Sequence, residues 1–198
     1  MQEQGQGSGY RDGPLVLASS SPQRRVILEQ LGIAFEVHRV DVEERTSGVP
    51  HEVACTNALA KAQAGAAARP GATVLGVDTI VICDRAILGK PSCAAAAETM
   101  LKRLAGRTHK VVSGLALLRC GHPQVVHEVT KVTFRALDDD LVRRYVQTGE
   151  WSGRAGGYAI QGQGAGLVRA IAGDYLNVVG LPAGALLDLD LSLILRRK

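Results

Sequence analysis

The stretch Leu15–Gly32, LVLASSSPQRRVILEQLG, decides how this chain is read. Leu15, Val16 and Leu17 form a short apolar run between Pro14 and a row of serines, which predicts a buried strand. Ser21 stands where a helix N-cap belongs, and Pro22 suits the first helical position because its missing N–H is no loss there. Ile27, Leu28 and Leu31 mark one apolar helix face, and Gly32 is a left-handed stop.

The charges in this stretch are out of place. Arg24 and Arg25 fall in the first helical turn, where the macrodipole favours acidic side chains and an uncompensated cation costs roughly 0.3–1 kcal/mol. A bound phosphate would compensate them, because free N–H groups, the hydroxyls of Ser19, Ser20 and Ser21, and a guanidinium fork would converge on it. A capped surface helix with two solvated arginines is the plain alternative.

Composition narrows the class. A chain of 198 residues with 46% hydrophobic and 21% charged residues predicts a soluble globular protein of one domain or two tightly joined lobes. No apolar run approaches the ~18 residues of a membrane span, so no membrane partner is expected. Residues 1–13 are polar and rich in Gly and Gln, which predicts a disordered tail before a folded region over 14–198. The net charge of +4 is scattered along the chain, and aromatic residues make up only 4%. Small anionic ligands therefore fit better than a nucleic acid polymer. Cys55, Cys83, Cys93 and Cys120 lie far apart without a C-x-x-C, so reduced thiols in a cytoplasmic protein are expected, with no redox chemistry.

Beyond the opening unit, Phe35–Val42 alternates as a half-exposed strand and ends at Glu43 and Glu44, a carboxylate pair that reads either as wet or as metal-binding. Glu52–Ala68 is rich in helix formers and closes at Pro70-Gly71; Lys61 lies inside it with nothing local to single it out. Thr73–Cys83, TVLGVDTIVIC, is the strongest strand in the chain, interrupted by Asp78. A carboxylate in a β-branched run needs a partner or a task, with edge exposure as the alternative.

After the turn at Asp84-Arg85 comes Gly89-Lys90-Pro91, which lacks the spacing of a Walker A loop but offers a point charge. A helix is expected over Cys93–Leu104, strands over Val111–Arg119 and Val125–Phe134 joined as a hairpin through Cys120–Pro123, and a helix over Leu137–Gln147 whose Asp138, Asp139 and Asp140 resemble a metal site but are more cheaply explained as capping its start. A last strand over Val178–Leu181 and a helix over Leu186–Leu195 complete the pattern of a mixed-sheet α/β fold. Gly162-x-Gly164 has Leu167 at the third glycine position of a dinucleotide fingerprint, and the five histidines show no metal-ligand spacing.

The blocks LASSSPQRRVILEQLG, VEE, ALAKAQAGA, LGVDTIVI, LGKP, RLAGRTHKVVSG, KVTFR, GEWSGRAGGYAIQG and NVVGLP follow one another from Leu15 to Pro182. Together they resemble the Maf family of nucleoside triphosphate pyrophosphatases. The resemblance implies a two-lobed α/β fold around an elongated mixed sheet with a nucleotide cleft. It also implies hydrolysis of a nucleoside triphosphate to the monophosphate and pyrophosphate, dependent on a divalent cation, Mg2+ or Mn2+.

Carried over by motif, Asp78 matches the family's proton acceptor, and Glu44, Lys61 and Lys90 match its charged active-site positions. Ser19, Ser21 and Arg24 match its phosphate-binding motif. Glu44 and Asp78 are the candidate metal ligands, with Asp78 open to either role. Thr79 and Gln161 are similar to the residues of the dTTP/UTP subgroup; the 7-methyl-GTP subgroup carries others at both positions. Gln23 stands where the dTTP/UTP subgroup commonly has the first of two arginines, which leaves a different base preference open. A non-catalytic nucleotide-binding regulator of cell division is the rival function, and the resemblance leaves room for a homodimer.

Overall fold

The β-branched run around Asp78 sits at the centre of a seven-stranded mixed sheet. The computed structural model describes residues 15–194, so the tail expected over residues 1–13 lies outside the described residues. In chain order the elements are β1 (Leu15–Leu17), α1 (Pro22–Gln30), β2 (Phe35–Val37), α2 (Pro50–Ala68), β3 (Thr73–Cys83), β4 (Ala86–Leu88) and α3 (Ala94–Leu104). They continue with β5 (Thr108–Arg119), β6 (His122–Phe134), α4 (Asp139–Gln147), β7 (Val168–Ala172), α5 (Tyr175–Val179) and α6 (Ala183–Leu189). The strand order is β2-β1-β3-β5-β6-β7, with β4 on the edge of β3. β1 runs parallel to β2 and β3, and the other pairings are antiparallel.

Strand length makes the site. β1 reaches only the first three residues of β3, with Leu17 opposite Leu75, and β4 covers β3 again from Val81. Between them, residues 76–80 of β3 have no strand partner on that side among the described residues. This gap lies just past the carboxyl ends of β1 and β2, the usual place for a ligand in an open α/β sheet.

Helix α2 lies across the opposite face at very close range. A Cβ on Gly76 would come within 2.1 Å of the Ala58 carbonyl oxygen, and one on Gly114 within 2.3 Å of that of Ala54. The helix answers with a buried face of small residues, Ala54, Ala58, Ala62 and Gly65, into which Asn57 and Lys61 are set. On the sheet's other face two core clusters flank the gap. One gathers Leu15, Leu17, Ile27, Leu28, Leu75 and Leu186; the other gathers Val81, Leu101, Phe134, Tyr145 and Tyr158.

Several expectations are corrected. The strand expected over Phe35–Val42 stops at Val37. The hairpin loop expected over Cys120–Pro123 tightens to Cys120-Gly121, both at positive φ (49° and 80°), the signature of a two-residue turn. Pro123 then falls inside β6, tolerated because β7 pairs only the far end of that strand. The strand expected over Val178–Leu181 is instead the end of α5, which starts because the Asp174 carboxylate accepts the Leu176 N–H at 2.7 Å. The last strand is β7, just before it. The C-terminal helix begins at Ala183 and ends at Leu189, where Asp190 turns its carboxylate to the Ser192 N–H at 3.0 Å. Among the described residues no helix is long and apolar enough to cross a membrane.

Candidate active site

The serine turn after β1 and the first turn of α1 open onto a cavity of about 410 Å³. Ser19, Ser20, Ser21, Gln23, Arg24, Glu44, Lys61, Thr79 and Lys90 all line it. Ser21 takes N-cap geometry, but its hydroxyl donates to Gln23 Oε1 at 3.2 Å and caps no backbone N–H. The helix start is therefore left to face the cavity uncapped, as an anion site requires.

The two arginines of that turn part company. Arg25 is exposed and pairs with Glu29 one turn on, at 3.5 Å, so for it the solvated alternative holds. Arg24 is buried, and each of its three guanidinium nitrogens gives a hydrogen bond to the protein as a clamp. Nε donates to the Gly180 carbonyl at 2.9 Å, one terminal nitrogen to Ser19 Oγ at 2.9 Å and the other to Thr79 Oγ1 at 3.2 Å. Thr79 in turn shares a hydrogen bond of 2.9 Å with Ser113 on β5. Burial lowers the pKa of Arg24 from its ordinary value, against the opposing pull of Asp78 and Glu44.

Because side chains alternate along a strand, Thr79 and Asp78 leave β3 on opposite faces. Asp78 points under α2 and is 5% exposed. Its Oδ1 accepts from Lys61 Nζ at 2.7 Å and its Oδ2 from Asn57 Nδ2 at 2.9 Å. Lys61 also reaches Glu44 Oε1 at 2.7 Å, so one ammonium joins the two carboxylates. Asp78 is not itself among the lining residues, and Lys61 and Glu44 connect it to the cavity through the strand gap. The side chain of Glu44 is 39% exposed and open to the cavity.

The loop that carries Glu44 is fixed by Asn57. Its side-chain oxygen accepts the Arg45 N–H at 2.8 Å and its amide donates to the Arg45 carbonyl at 3.0 Å. Nothing in the pattern singles out Asn57, although it lies four residues before Lys61 and so shares its helix face. Gln161, the expected specificity residue, is exposed at the start of a 3-10 turn and is not among the cavity's lining residues. Tyr158, Arg154, Val81, Val111, Val178 and Val179 line it instead.

The donor set suits a hard divalent cation. Two carboxylates already brought together by one ammonium offer oxygen ligands, with Glu44 in the cavity that the serine turn also lines, and Mg2+ is ordinarily held by one or two carboxylates together with substrate phosphates. Among the described residues no cluster of three His, Cys, Asp or Glu forms a cage independent of a substrate.

The family model described as Maf-like protein matches residues 14–190. This chain belongs to that family. Maf-like relatives include a dTTP/UTP pyrophosphatase of Symbiobacterium thermophilum, 49% identical over 170 residues, which cover 85% of this chain and 88% of that one. Another, from Moorella thermoacetica and of the same name, is 49% identical over 172 residues, 85% and 89% of the two chains. A third, from Nitratidesulfovibrio vulgaris, is 47% identical over 188 residues, 93% and 88% of the two. The resemblance drawn from the order of the sequence blocks is thus borne out, and so is the mixed α/β fold expected of a Maf-like chain.

Proposed function

We propose that this chain hydrolyses dTTP and UTP to the monophosphate and pyrophosphate. The observation that carries the reading is the strand gap. It brings the Arg24 clamp and the uncapped start of α1, on one side, together with the Asp78–Lys61–Glu44 cluster on the other. Relatives of nearly the same length that are named dTTP/UTP pyrophosphatases support the substrate class.

In this mechanism the serine turn, the free N–H groups of α1 and the remaining Arg24 donors hold the phosphates. Asp78 accepts the proton of the attacking water, and Asn57 and Lys61 fix the plane of its carboxylate. Glu44 and Asp78 would hold a divalent cation, whose chemistry when bound is to neutralise phosphate charge and to acidify water. Lys90 stabilises the negative charge that develops on the leaving group. The apolar lining of Val81, Val111, Val178 and Val179 takes the nucleoside.

A cavity of 410 Å³ suits one nucleotide rather than a polymer. Four free cysteines suit a reducing compartment such as the cytoplasm. A second reading, the same reaction with a different base preference, is favoured by Gln23, which lines the cavity in place of the arginine common in the dTTP/UTP subgroup. Assay of ordinary and modified nucleoside triphosphates for pyrophosphate release, with and without magnesium, separates the two. dTTP and UTP are expected to rank first, and no release from any of them would refute the proposal.

A further inference from the structure

The cations already described are mostly spent on the protein. Arg24 gives three donors to Gly180, Ser19 and Thr79, and Lys61 is shared between two carboxylates. Set against Glu44 and Asp78, the charges of Arg24, Lys61 and Lys90 leave the cavity with one positive charge in excess. A triphosphate brings about four negative charges.

Arg154 also lines the cavity and doubles that excess. Among the described residues no hydrogen bond or ion pair holds its guanidinium, and only the fields of Tyr145 and Glu150 favour its charge. Partial burial lowers its pKa from the ordinary arginine value, so its charge is under-solvated as well as unpaired. An arginine left in this state has its whole fork available to an anion.

Its backbone, by contrast, is tied down. Arg154 N donates to the Trp151 carbonyl at 3.1 Å and its own carbonyl accepts from Gly157 N at 3.1 Å. Two residues on, Gly156 N donates to the Gly89 carbonyl at 3.0 Å, which pins this loop beside Lys90. Gly156 takes a φ of 72°, and a Cβ there would come within 3.0 Å of Val81. Ala155 and Tyr158 pack into the core cluster of Phe134 and Tyr145, whereas α1 contributes Ile27 and Leu28 to the other cluster. Arg154 and Lys90 thus line the cavity from a wall built on the Phe134 cluster, and Arg24 lines it from the turn built on the Leu28 cluster.

We propose that Arg154 is a substrate-binding residue of this site, whose guanidinium takes oxygens of the departing diphosphate from the wall it shares with Lys90. This rests on the pyrophosphatase reading. The diphosphate, rather than the inner phosphate, falls to this wall because Asp78, the proton acceptor, is bonded to Lys61 and Asn57 and, among the described residues, to neither Arg154 nor Lys90. The two cations least committed to protein partners are then left for the part of the substrate with the most charge.

The test uses the whole protein, with inorganic pyrophosphate and a nucleoside monophosphate titrated separately by calorimetry and as product inhibitors. Arg154→Gln removes the charge without stranding a protein partner, so the fold is retained. It is expected to weaken pyrophosphate binding about 10- to 100-fold, the effect of losing charge-assisted hydrogen bonds, and to leave monophosphate binding within about twofold. Arg154→Lys, which keeps the charge but not the fork, recovers part of the loss. Unchanged pyrophosphate binding in Arg154→Gln, or equal weakening of both ligands, would overturn the assignment. If the parent protein releases no pyrophosphate from any triphosphate, the pyrophosphatase reading itself fails, and the calorimetric arm still decides whether Arg154 holds a diphosphate.

Discussion

Replacing Asp78 by Asn separates the fold from the chemistry. Two donors converge on the two oxygens of Asp78, Lys61 at 2.7 Å and Asn57 at 2.9 Å. An amide has one oxygen, so in Asp78→Asn one of these donors loses its acceptor. Neither is left without support, because Lys61 keeps Glu44 and Asn57 keeps the Arg45 carbonyl. The cost is then the partial loss of one buried hydrogen bond, about 1–3 kcal/mol, set against a total stability of roughly 5–15 kcal/mol, so the variant folds. Removing a proton acceptor costs about 10²- to 10⁴-fold in rate. Denaturant unfolding reads the first quantity and pyrophosphate release from dTTP the second. A folded Asp78→Asn protein that releases pyrophosphate within about tenfold of the parent rate would refute the role given to Asp78.

Three further outcomes are expected. Lys61→Met leaves Asp78 and Glu44 facing each other without their shared ammonium; the unfolding midpoint should fall by an amount equivalent to about 3–5 kcal/mol, and an unchanged midpoint would show that the pair does not depend on Lys61. Gly114→Ala places a methyl group 2.3 Å from the Ala54 carbonyl; displacement of α2 should lower both stability, by about 1–3 kcal/mol or more, and turnover, and retention of both would mean that α2 is not held as described. Burial lowers the pKa of His109, 2% exposed, to about 4. The unfolded chain therefore takes up a proton between its ordinary value of about 6.5 and the folded value that the folded protein does not. Stability is full at neutral pH and declines as pH falls through that window, by on the order of 3 kcal/mol. Denaturation of the parent and of His109→Phe at several pH values checks this: the variant should lose that part of the acid decline, and an identical decline would assign it to other groups.

The parts of the site that were legible in the sequence are those whose local pattern conflicts with its own surroundings. Asp78 breaks a β-branched strand and Arg24 sits at the wrong pole of a helix, and each conflict marks a group that is buried and bonded. Lys61 and Asn57 carry no such mark, because their burial is dictated by glycines 76 and 114 on other strands, which admit α2 so closely that even its polar residues are covered. Arg154 was hidden for a related reason. Its importance lies in having no partner, and a bond that is absent leaves no trace in spacing.

Local periodicity also erred where a cap decides the outcome. Val178 and Val179 have β-branched side chains, but Asp174 starts a helix ahead of them and so places the Gly180 carbonyl under the Arg24 guanidinium. Gln161 shows the converse, since a residue in a recognisable block need not face the cavity that the block helps to build.

The unfinished edge of the central strand has a consequence for how the protein responds to change. Among the described residues, the backbone amides and carbonyls of residues 76–80 that face away from β5 have no neighbouring strand to zip against, so they are a reserve of polar groups that no side-chain substitution can remove. Lengthening the first strand by insertion would saturate that reserve and shut the hollow from within, a more complete loss than deleting any one of its charges.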